Sequence, residues 1–103
     1  MRFRRRRPFA EVIERQLDMF ARDHAGLLAE CDAALRAYDD AAAEEAEERY
    51  GGYVDLIEAV RDDLEGLRDG FASTLDEETA ERYESAFALE ARRRYPRYGL
   101  DLD

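Results

Sequence analysis

Apolar residues recur along the chain at alternating steps of three and four, the spacing that keeps them on one face of an α-helix. The first stripe reads Ile13, Leu17, Phe20, His24, Leu27, Cys31, Ala34 and Tyr38. Val12, Leu28 and Leu35 widen it, so this helix should touch more than one neighbour. A second stripe runs through Ala43, Ala46, Tyr50, Tyr53, Ile57, Val60, Leu64, Leu67 and Phe71. A third, Ala80, Tyr83, Phe87 and Ala91, is shorter and ends before Pro96. The five-residue step from Tyr38 to Ala43 puts the first two stripes out of phase. It predicts a turn near Asp39 and Asp40, with Asp40 as the N-cap of the next helix and Glu44 and Glu45 near its positive end.

These signals predict an all-α protein, an antiparallel three-helix bundle with helices over about 9–38, 41–72 and 76–95. Pro8 suits a first helical turn, where its missing N–H is not needed. The arginines before it would oppose the helix dipole, so residues 1–7 read as an Arg-rich arm outside the bundle domain of residues 8–95. Ser73, Thr74 and Asp76 can each cap the last helix, and Thr74 with Glu77 fits a capping box. Arg92, Arg93 and Arg94 stand at its negative end and Pro96 stops it, leaving residues 96–103 as a short tail. The alternative is a long helical hairpin turning at Gly51 and Gly52, since adjacent glycines are a strong turn signal. Keeping them inside the second helix costs about 1 kcal/mol each relative to Ala. Continuity of the stripe through residues 43–53 favours doing so. A third helix of about 20 residues is too short to cover two of about 30, and self-association would bury the apolar surface left over.

Composition supports a packed core. The chain is 46% hydrophobic and 41% charged, more apolar than a disordered chain of that charge. Its length allows one domain with one modest core. All 16 basic residues are arginine, and the net charge of −10 conceals a partition. Residues 1–7 carry +5, residues 92–103 carry +2, and residues 8–91 carry −17. The body therefore repels nucleic acid and anionic membrane, whereas both termini attract them. The single cysteine, Cys31, lies in an apolar stripe, which fits a reduced, buried thiol. No apolar run is long enough to span a membrane, and no apolar stretch of the signal-peptide kind follows the first arginines, so a cytoplasmic location is expected.

Candidate chemistry is sparse. His24 is the one histidine, and the Glu-x-x-His pattern of carboxylate-bridged metal bundles is missing because position 21 is Ala. Cys31 stands seven residues from His24, about 10.5 Å along a helix, too far to share a metal with it in one chain. The carboxylate pairs Glu11 and Glu14, Asp55 and Glu58, Asp62 and Glu65, and Glu81 and Glu84 have the spacing of one helix face. Among 26 acidic residues such pairs arise by chance, and a solvated face explains them. Ser73, Thr74 and Cys31 have no second histidine to choose from and no nucleophile-elbow motif. No catalytic, metal or cofactor site is expected, and the protein reads as no enzyme.

Two binding features stand out instead. Tyr38, Tyr50, Tyr53, Phe71 and Tyr83 fall on inward positions, where they serve helix packing or an interface between subunits. Arg2, Arg4, Arg5, Arg6 and Arg7, with Arg92, Arg93, Arg94 and Arg97 at the other end, could bind anions. The expected function is a non-catalytic acidic helical interaction or scaffold module, a homodimer offering acidic surface to a protein partner. The alternatives are an Arg-arm binder of nucleic acid or anionic membrane and, more weakly, a carboxylate-rich metal or cargo protein assembled across subunits.

Overall fold

The computed structural model describes residues 8–96. Residues 1–7 and 97–103, and with them Arg2, Arg4, Arg5, Arg6, Arg7 and Arg97, lie outside the described residues. Within them the chain is all-helical, with no strand: α1 (Ala10–Asp23), α2 (Ala25–Asp39), α3 (Ala43–Ala72) and α4 (Glu77–Arg94). Three helices were expected and four are found, because the first is broken at His24.

The break has a tertiary cause. α1 packs against α4, whereas α2 lies along α3, and one straight helix cannot follow both neighbours. His24 takes φ −116° and ψ 24°, while its amide still donates to Phe20 O at 2.9 Å and its carbonyl accepts from the Leu28 amide at 2.9 Å. Its Nδ1 lies 3.2 Å from the Phe20 carbonyl, its Nε2 lies 3.4 Å from Oδ2 of Asp63 on α3, and its ring stacks on Phe20 at 4.3 Å. A side chain drawn into the helical ladder is a recognised source of a kink.

The turn near Asp39 and Asp40 is present, but Asp40 does not cap α3. It closes α2, its amide donating to Arg36 O, and Ala42 stands at the N-cap of α3 without a side-chain bond. Glu44 and Glu45 occupy the first turn of α3, as expected. Before α4 the cap is Asp76, whose carboxylate accepts from the Thr79 amide at 2.8 Å and from its hydroxyl at 3.0 Å. Those bonds, the amide first, hold the Asp76 carboxyl below its usual range. Thr74 turns the other way and donates to Phe71 O at 2.7 Å, so the capping box with Glu77 does not form. Gly51 and Gly52 lie inside α3, and no turn occurs there.

Pairings give the directions. His24 meets Asp63 and Tyr38 meets Tyr50, so α2 and α3 are antiparallel. Phe9 meets Tyr83 and Phe20 meets Tyr95, so α1 and α4 run the same way. The core is formed by Ile13, Leu17 and Phe20 of α1, Ile57, Val60 and Leu64 of α3, and Tyr83, Phe87 and Ala91 of α4. It sits at one end of the molecule. Cys31 is the one buried residue of α2, and residues 43–56 of α3 contribute none.

Gly51 and Gly52 yield a direct test of this arrangement. A Cβ added at either meets nothing within 4 Å. Replacing each with Ala should therefore stabilise α3 by about 1 kcal/mol. The melting temperature should rise by roughly 4–8 °C per substitution, read by circular dichroism. A fall would mean that a neighbour needs the bare backbone.

Candidate functional site

The five aromatic residues expected at an interface divide into two groups. Phe71 and Tyr83 belong to the core end. Tyr83 is fully buried, so of the two roles open to these aromatics it takes helix packing: its ring and hydroxyl are used within the chain. Phe71 packs on it at 4.8 Å, Phe9 meets it edge-on at 5.5 Å, and Phe87 lies at 5.9 Å. Its hydroxyl donates to Gln16 Oε1 of α1 at 2.8 Å, so one side chain ties α1, α3 and α4 together. Burial pushes its phenol up to about 12.

Tyr38, Tyr50 and Tyr53 lie at the far end of the hairpin that α2 forms with α3. Tyr38 and Tyr50 pair at 5.3 Å with rings tilted by 55°. They remain 36% and 52% exposed. Tyr53 is half-buried and borders an open groove of about 250 Å³ with Ala34, Ala37, Gly52 and Leu56, lined also by the charged Glu48 and Arg49. This end thus offers exposed aromatic rings, small residues that admit close approach, and charged edges. Such a mixture suits association.

Two of the arginines at the end of α4 are engaged within the chain. Arg94 reaches Asp18 of α1 at 3.0 Å, and Arg93 pairs with Glu90 at 3.1 Å. With Arg92 they also stand in the last turn of α4, where cations oppose the negative helix end. The Arg94 contact was not legible in the sequence, since nothing local relates positions 18 and 94.

His24 borders a recess of about 140 Å³ with Gln16, Met19, Asp23, Asp63 and Leu67. Its two ring nitrogens face two acceptors, the Phe20 carbonyl and the Asp63 carboxylate, which marks it as a clasp between the α1–α2 break and α3. Among the described residues, no three His, Cys, Asp or Glu side chains are placed to hold a metal ion. Cys31 is fully buried. Burial, and then the carboxylates of Asp32 and Glu30, push its thiol up, which opposes thiolate chemistry. Among the described residues, no helix is long and apolar enough to cross a membrane. Comparison of the chain with family models, with curated proteins and with solved structures finds no match.

Tyr83 is the residue whose role is most open to measurement. Tyr83→Phe leaves Gln16 Oε1 without its donor and should lower stability by about 0.5–1.5 kcal/mol at neutral pH. The phenol is raised in the folded state, to about 12, against about 10 when unfolded. Its stabilising share is therefore complete below about pH 10 and is lost as pH rises through about 12. Denaturant midpoints of the wild type should fall more steeply than those of Tyr83→Phe across that window. Parallel curves would place the hydroxyl in water.

Proposed function

We propose that this protein is a non-catalytic acidic interaction module that forms a homodimer through the far end of the α2–α3 hairpin. The observation that carries this reading is the uneven core. Over residues 43–56 no residue of α3 is fully buried, and Tyr38 and Tyr50 stay 36% and 52% exposed beside half-buried Leu35 and Tyr53. A second copy laid against this end would bury the aromatic pair and complete a four-helix, coiled-coil-like layer. The outer helix faces, rich in Asp and Glu, would then be presented to a protein partner with a basic surface. A cytoplasmic setting, where Cys31 stays a thiol, belongs to the same proposal.

Sedimentation and light scattering test it. The expected result is a dimer at micromolar concentration. Each copy carries −10, so screening by salt should tighten the dimer rather than loosen it. Tyr38→Ser with Tyr50→Ser should give a monomer with an unchanged helical spectrum. A wild-type protein that stays monomeric to high concentration at every salt level would overturn the proposal.

A further inference from the structure

At the opposite end, an open groove of about 660 Å³ runs beside α4 where the chain enters α1. Pro8 and Ala10 form one apolar side of it, and Ala86 and Leu89 of α4 form the other. Leu89 is a large hydrophobic residue left 41% exposed. The rim is acidic, with Glu78, Glu81 and Glu90 against Arg82 among the described residues.

The backbone brings the chain to this groove. Phe9 holds a left-handed conformation, φ 62° and ψ 12°, which is costly for a residue with a side chain. Its ring, edge-on to Tyr83 at 5.5 Å, anchors the turn in the core. Pro8 thereby lines the groove together with residues of α4.

We propose that the groove is the docking site of this chain's own residues 1–7, bound in cis, with Phe3 over Ala86 and Leu89 and the arginines on the rim carboxylates. Reach permits it. Phe3 precedes Pro8 by five residues, about 17 Å of extended chain. From Glu78 to Glu90 α4 rises about 18 Å. Charge favours it, since five arginines and no acid meet a rim where three carboxylates outnumber one guanidinium, although Glu78 already pairs with Arg82 and Glu90 with Arg93. Arginine stems cover apolar surface while their planar heads reach carboxylates in pairs. Exposed ion pairs of this kind are individually weak. Attachment at Pro8 supplies the high effective concentration that makes several of them sufficient. The segment of a second copy would lack that advantage and would bring two acidic bodies together.

Amide spectra of the full-length chain and of its Phe3→Ala variant, at low salt and at two concentrations tenfold apart, test the proposal. The expected result is a shift of the Ala86 and Leu89 amides between the two chains, equal at both concentrations. The shift should be lost when Glu78→Gln, Glu81→Gln and Glu90→Gln are combined, with helicity unchanged by circular dichroism. Shifts confined to residues adjoining position 3 and the start of α1 would overturn it. So would α4 shifts that grow with concentration, since these would come from the arm of a second copy.

Discussion

Eighteen residues of α4 must close a core along an α3 of 30 residues. At 1.5 Å per residue that is about 27 Å of helix against about 45 Å. Most other features follow from this mismatch. Where α4 reaches, three helices enclose Val60, Leu64, Tyr83 and Phe87 without access to solvent. Tyr83 stands in the middle of that end, bonded to α1 and packed at a tilt against Phe71 of α3. Where α4 stops short, α3 has α2 alone for a neighbour among the described residues, and its apolar stripe is only partly covered.

The mismatch also explains why α1 and α2 are separate helices. α1 belongs to the closed end and follows α4, whereas α2 belongs to the open end and follows α3. Periodicity alone could not reveal the break, because Phe20, His24 and Leu27 keep the helical step straight through it. The turn after Asp39 was legible, since a change of phase in the stripe is a local signal. Its capping was not. Asp40 is an able N-cap by composition, but Ala41 and Ala42 intervene and the side chain has no amide of α3 to accept from. At α4 three residues could each have capped the helix, and Asp76 is the one whose carboxylate falls on the Thr79 amide.

The aromatic residues show the same limit of local reading. Tyr50 and Tyr83 occupy equivalent stripe positions, and one is 52% exposed while the other is fully buried. What separates them is which end of the molecule each occupies, a property of helix lengths and partners rather than of spacing. Gln16 escaped notice for a related reason: a polar residue flanking a stripe reads as solvent-facing until a buried hydroxyl is found against it. The charge partition, by contrast, was fully legible. It underlies both proposals, an acidic body that dimerises through the aromatic end of its hairpin and an arginine segment held by the groove at the other. The two proposals rest on different residues at opposite ends of the molecule, so either can fail without the other.

The central claim is that the core closes one end of the molecule and leaves the other thinly covered. Native-state hydrogen exchange, measured on dilute protein, reads this residue by residue. Amides of residues 57–64 and 83–91 should exchange only through global unfolding, while those of residues 28–39 and 43–54 should exchange through local opening at lower free energy. Equal protection along the whole of α3 in the dilute protein would contradict the account.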